Sequence, residues 1–184
     1  MRVLMVGNSY TYYNEMPALL AALARENGRE MTVDAVTKGG RRMYENLAPE
    51  DLYHREICRL CETGRYDVLI LQEQSYFAIE NYEAFLEGMR GVAALVNPRR
   101  TVLYATWGRK EGSALLEELG MTSLEMTEAL AAAYERAAET VRAEVAHVGR
   151  AFVRLGILDP TVELYNKDLS HPSPSGSALA AMTL

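Results

Sequence analysis

The chain has 184 residues, carries 19 Lys and Arg against 25 Asp and Glu for a net charge of −6, and is 49% apolar with two cysteines. That length suits one hydrophobic core, because a chain near this size buries about 70% of its unfolded surface, and it leaves little room for a second full domain. An acidic balance without a basic block argues against a nucleic-acid partner, two cysteines cannot staple a secreted mini-domain, and no apolar run approaches the roughly 20 residues of a bilayer span.

The first apolar run, Met1 to Gly7, is too short for a signal peptide, so a cytoplasmic location and no membrane association are expected. Val3 to Val6 reads as a buried strand. Pro17 suits a first helical turn and opens a helix over Met16 to Asn27, with Leu19, Leu20, Leu23 and Ala24 on one face and Gly28 as the stop. Met31 to Val36 is a second strand, followed by Gly39-Gly40. Leu47 to Glu62 has helical spacing at Leu52, Ile57, Leu60 and Cys61.

Asp67 to Leu71 is the clearest strand, and its unbroken apolarity predicts cover on both faces. A helix follows over Tyr82 to Val96, ended by Asn97-Pro98. Thr101 to Thr106 is a fourth strand. Ser123 is placed to cap a helix running to about Glu144, with Leu130, Tyr134, Ala137, Ala138 and Val141 as its buried stripe. Val145 to Val148 is a weak fifth strand, and the residues after Pro172 are helical. The final run, Ala178 to Leu184, stops inside that pattern without a cap, so a continuation past Leu184 is expected.

Strand and helix alternating through one domain, residues 1–184, predict a three-layer α/β/α fold. Its five-stranded parallel sheet would have the order 2-1-3-4-5 of a flavodoxin-like protein. Ligands in such sheets gather at the carboxyl ends of the strands, where the strand order reverses. Chemistry is therefore to be sought just after Val6, Val36, Leu71 and Thr106.

After the first strand, Gly7-Asn8-Ser9 sets a serine hydroxyl at a helix threshold, a position suited to a developing oxyanion; a plain N-cap is the commoner use of such a serine. The segment lacks both the Gly-Lys-Ser/Thr of a phosphate loop and the three-glycine dinucleotide fingerprint. Near the C-terminus, Asp168-Leu169-Ser170-His171 puts a carboxylate three residues before a histidine. Held in a turn, that spacing lets the carboxylate take one ring nitrogen while the other faces a nucleophile.

These segments resemble the ordered blocks of the SGNH (GDSL-like) hydrolases. The resemblance runs through Gly7-Asn8-Ser9, Gly39-Gly40, Leu71-Gln72-Glu73-Gln74-Ser75 and Asp168-x-x-His171-Pro172-Ser173. It is nearest to a branch with Gly-Asn-Ser and Leu-Gln-x-x-Ser blocks, which Val102 to Trp107 and Val148 to Phe152 also resemble. The resemblance implies Ser9 as nucleophile, His171 as general base and Asp168 as the group that orients it. Its oxyanion hole would combine the N–H of Ser9, the N–H of Gly39 or Gly40, and a side-chain amide.

The family's usual asparagine donor is missing after the third strand, which leaves Gln72 and Gln74 as substitutes. Strand alternation favours Gln72, which stands at the strand end and is better fixed than a loop residue. The implied reaction is hydrolysis of a small acyl ester, with an acetylated carbohydrate suggested by family tendency and by Tyr10, Tyr12 and Tyr13 beside the nucleophile. Arg41 and Trp107 are further candidates to touch substrate, as Tyr10 is. No cofactor or metal is implied: Cys58 and Cys61 with His54 sit at helical spacing and read as a packed helix rather than a zinc site. Two other classes stay open, a non-catalytic ligand binder on the same scaffold and a flavin or nucleotide binder using Gly7 to Thr11.

Overall fold

In the computed structural model, which describes residues 1–184, five strands pair in the order β2-β1-β3-β4-β5 and every pair is parallel. They are β1 (Arg2–Gly7), β2 (Thr32–Thr37), β3 (Val68–Leu71), β4 (Arg100–Ala105) and β5 (Glu144–His147). The register sets Val6 beside Val36 and Leu71, and Leu71 beside Leu103, so the carboxyl ends of the three central strands finish level. The chain leaves β1 toward β2 on one side and returns as β3 on the other. That reversal opens the crevice in which sheets of this kind hold ligands.

Nine helices connect and cover the strands: α1 (Ser9–Tyr12), α2 (Met16–Glu26), α3 (Leu52–Glu62), α4 (Phe77–Glu80), α5 (Tyr82–Val96), α6 (Ala114–Leu119), α7 (Ser123–Val141), α8 (Val148–Leu158) and α9 (Pro174–Thr183). Side chains alternate between the sheet faces. Leu4, Val6, Leu69, Leu71 and Leu103 pack with Ile57, Phe85, Met89, Val92, Leu130 and Tyr134 from α3, α5 and α7. Val3, Met5, Val68, Ile70 and Tyr104 pack on the other face with Leu20, Phe152, Ala180 and Ala181 from α2, α8 and α9. No helix is long and apolar enough to cross a membrane.

Several elements differ from those the sequence suggested, most of them by one to three residues at an end. The helix expected from Leu47 starts at Leu52, because the Asp51 carboxylate caps the N–H groups of Tyr53 and His54 and Pro49 precedes it. Met43–Leu47 is a separate 3₁₀ turn. The cap of α7 is Thr122 rather than Ser123, and it forms a reciprocal box with Glu125. Helix α8, not read from the sequence, buries Val148 and Phe152 against the sheet and exposes Ile157 and Leu158 in its last turn.

Candidate active site

Gly7 ends β1 at a position no larger residue fits. A Cβ there would stand 2.3 Å from Thr11 Oγ1 and 2.7 Å from Gln72 Oε1. The next residue, Asn8, is the cap of α1: its Oδ1 accepts the Tyr10 N–H at 3.1 Å, and its Nδ2 donates to the Arg41 carbonyl at 3.1 Å. Because Asn8 does the capping, the Ser9 hydroxyl is left free. It lies 2.9 Å from His171 Nε2, across 162 residues of chain.

His171 Nδ1 is 2.5 Å from Asp168 Oδ2. The other carboxylate oxygen accepts the N–H groups of Ser170 at 3.0 Å and His171 at 2.9 Å, which pins the carboxylate to its own loop. Burial raises the Asp168 carboxyl, but the bonds from the His171 ring and these two N–H groups outweigh it and hold the group below its ordinary value. Asp168 is therefore ionised at neutral pH and suited to steady an imidazolium. Leu169 takes a left-handed φ of 59°, and the turn is fastened by Asn166 N–H to the His171 carbonyl at 2.8 Å and Lys110 N–H to the Leu169 carbonyl at 2.9 Å.

Aromatic rings hold the imidazole in place. Tyr13 stacks on it with centroids 4.3 Å apart and Tyr10 meets it edge-on at 5.5 Å. Tyr10 is itself buried and donates to or accepts from Ser170 Oγ at 2.8 Å, so it forms pocket wall rather than an open platform. Tyr12 remains exposed and stacks on Tyr13.

The two glutamines part company here. Gln72, favoured from strand position, is turned beneath the Gly7-Asn8 bend. Its Oε1 accepts the Asn8 N–H at 2.9 Å and the Thr11 hydroxyl at 2.8 Å, while its Nε2 donates to the Glu73 carbonyl. Its amide is fully committed and buried, which corrects the sequence-based preference: fixation at the strand end came from bonds that consume the donor. Gln74 lines the pocket instead, and neither end of its side-chain amide has a partner in the protein.

Of the two glycines, Gly40 lines the pocket and Gly39 faces Tyr12. Lys38 to Arg41 is a tight turn closed by Arg41 N–H to the Lys38 carbonyl at 3.2 Å, and Gly40 at its third position has φ +70°, as a type II turn requires. Neither the Gly40 N–H nor the Ser9 N–H has an acceptor within the protein.

Two expected substrate contacts are structural. Arg41 is buried and spends its guanidinium on Asn46 Oδ1, the Glu45 carbonyl and the Asp51 carboxylate. Trp107 is wholly buried, sandwiched between Tyr10 and Phe152 at centroid distances of 4.7 and 4.1 Å, and its Nε1 donates to the Ser170 carbonyl at 3.0 Å. The end of β4 points this ring into the face covered by α8 and α9, away from the pocket.

Tyr13, expected beside the nucleophile as a sugar platform, instead stacks on the His171 ring; sequence reading gave no role to Asn8 or Ser170, nor to two charged residues. Glu73 is buried beside Gln74, and its carboxyl accepts the N–H groups of Met43 at 3.0 Å and Gln74 at 2.6 Å. Arg109 lines the pocket from the loop after β4 and donates to Ser75 Oγ at 2.9 Å. The signal available was position alone, since both lie in loops that follow the carboxyl ends of strands β3 and β4.

A doubly wound parallel sheet with a serine, an imidazole and a carboxylate in line at its carboxyl edge defines a hydrolase of the α/β/α class. The chain belongs to the SGNH hydrolases. It is 33% identical to an SGNH hydrolase protein from Slackia heliotrinireducens over 100% of this chain and 96% of that one, with a TM-score of 0.84. The fold is shared with a DUF4886 family protein from Bacteroides uniformis (15% identity, TM-score 0.80, covering 100% of this chain and 80% of that one). It is also shared with an acetyl-xylooligosaccharide esterase from Geobacillus (13% identity, TM-score 0.70, covering 99% and 91%). No protein-family model and no curated protein matches the sequence.

Proposed function

We propose that the protein is a serine esterase that removes a small acyl group, an acetyl ester of a carbohydrate, through Ser9, His171 and Asp168. The observation that carries this reading is the continuous hydrogen-bonded line from Ser9 Oγ to His171 Nε2 and from His171 Nδ1 to Asp168. A serine hydroxyl becomes nucleophilic when a base takes its proton as it attacks. Ser9 Oγ adds to the ester carbonyl carbon while its proton passes to His171 Nε2, and Asp168 stabilises the imidazolium. The tetrahedral oxyanion is met by the N–H groups of Ser9 and Gly40 and by the free amide of Gln74. Collapse breaks the bond to the alcohol oxygen, which leaves with the proton from His171. Water then repeats the sequence on the acyl-serine and releases the acid.

The size and lining of the pocket support a small acyl group. Its volume is about 210 Å³, and Tyr10 is the only hydrophobic residue among the ten that line it. Such a cavity offers a long alkyl chain no apolar surface to bury. The carbohydrate part draws on the exposed Tyr12 ring near the nucleophile and on the Geobacillus esterase, named for acetylated xylo-oligosaccharides. The test is hydrolysis of acetylated sugars alongside short-chain and long-chain nitrophenyl esters, with Ser9→Ala as control. Turnover of acetyl esters that disappears in Ser9→Ala is expected. Cleavage of long chains with short ones ignored would overturn the acyl-size reading, and activity surviving in Ser9→Ala would overturn the nucleophile.

A further inference from the structure

Arg109 carries the only permanent positive charge in the pocket and takes no part in the acyl-transfer steps. A guanidinium has five N–H donors. Here Nη2 meets the neutral Ser75 hydroxyl at 2.9 Å, and Nε is buried with no acceptor at all. No Asp or Glu oxygen comes within ion-pairing distance of Arg109, whereas Arg41 at the edge of the same site has both an amide and a carboxylate partner. The one carboxylate on the pocket wall, Asp168, is occupied by the His171 ring and two backbone N–H groups. Burial pushes the nearby Tyr10 phenol up in spite of Arg109, so it stays neutral and supplies no counter-charge.

A half-buried cation without a counter-ion is costly to hold, and a planar guanidinium fork is shaped to accept a carboxylate. We propose that Arg109 is a specificity-determining residue that pairs with a carboxylate carried by the substrate, so that the preferred substrate is a small anionic ester. The inference rests on the esterase reading of the same pocket and names its substrate class. The carboxylate belongs either to the alcohol portion, as in an acetylated sugar acid, or to the acyl portion, as in a half-ester of a dicarboxylic acid. Either supplies the acceptor that Arg109 lacks.

The experiment compares two matched pairs by pH-stat: acetoxyacetate against acetoxyacetamide for the alcohol arm, and monoethyl succinate against ethyl succinamate for the acyl arm. One charge-assisted contact to a half-buried guanidinium is worth roughly a 10- to 100-fold preference in kcat/KM, carried mainly by KM. The arm that shows it identifies the side of the ester. Arg109→Met is expected to bring that ratio close to one whatever its absolute rate, and Arg109→Lys to keep part of it.

Affinity for the same pairs, measured by calorimetry on Ser9→Ala, reads the preference without turnover and needs no change at Arg109. No anion preference on either arm in both measurements overturns the proposal, as does a preference that survives in a folded Arg109→Met. If the wild-type protein hydrolyses none of these esters while Ser9→Ala still binds the anions more tightly, the esterase reading fails and the carboxylate site stands.

Discussion

Replacing Glu73 by Gln should change how the protein's stability depends on pH. Glu73 is almost wholly buried between β3 and the Met43 turn, and burial raises its carboxyl from 4.5 to about 8 despite the backbone N–H groups of Gln74 and Met43, which act in the opposite direction. Between those two values the folded state holds a proton that the unfolded chain has released. It binds more protons than the unfolded state, so stability falls as pH rises across this window. At about 1.36 kcal/mol for each pH unit between 4.5 and about 8, the loss comes to about 5 kcal/mol, a large share of the 5–15 kcal/mol that holds a typical domain together.

Glutamine resembles the protonated acid, with one acceptor oxygen and one donor, but cannot ionise. The stability of the wild-type protein minus that of Glu73→Gln is therefore expected to be flat below pH 4.5, to decline through pH 6 and 7, and to level off above about 8. Urea unfolding at half-unit pH steps measures it, and the difference cancels the titration of every other group. A flat difference between pH 5 and 8 would refute the reasoning. A rising one would mean that the N–H donors from Met43 and Gln74 outweigh burial and that Glu73 folds as a carboxylate.

Gln74→Ala should lower kcat by about 100-fold or more with little change in KM, because an oxyanion contact strengthens in the transition state. Steady-state kinetics on a nitrophenyl acetate checks this. Gln72→Ala should act on stability instead, by about 2–5 kcal/mol in chemical denaturation, since it strands the buried Asn8 N–H and Thr11 hydroxyl without an acceptor. Gly7→Ala should abolish activity and lower the melting temperature, because the added methyl meets Thr11 Oγ1 and Gln72 Oε1 well inside contact distance. Trp107→Ala should cost about 3–5 kcal/mol in unfolding free energy by leaving a void between Tyr10 and Phe152. It should also lower kcat, because the indole N–H no longer holds the Ser170 carbonyl beside His171.

Much of the architecture is local and therefore legible in the chain. Unbroken apolar runs such as Val68 to Leu71 must be covered on both faces, and the strand–helix alternation they belong to admits few topologies, so the 2-1-3-4-5 order follows from the sequence. Ser9, Asp168 and His171 could be named as candidates because they follow a strand end or sit three residues apart in a turn. Their meeting depends on long-range packing of the C-terminal loop, held by Trp107 and Tyr10 against β1 and β4. Strand parity placed Gln72 at the sheet edge, yet Asn8 and Thr11, which take its amide oxygen, lie more than 60 residues away, and only the folded chain shows that they turn the amide beneath the bend, with its NH₂ on the Glu73 carbonyl, and leave Gln74 free. The same holds for charge: a sequence shows Arg41 and Arg109 as equal cations. Whether a carboxylate lies within ion-pairing distance is decided by tertiary contacts, which pair Arg41 with Asp51 and leave Arg109 facing the pocket without a counter-ion.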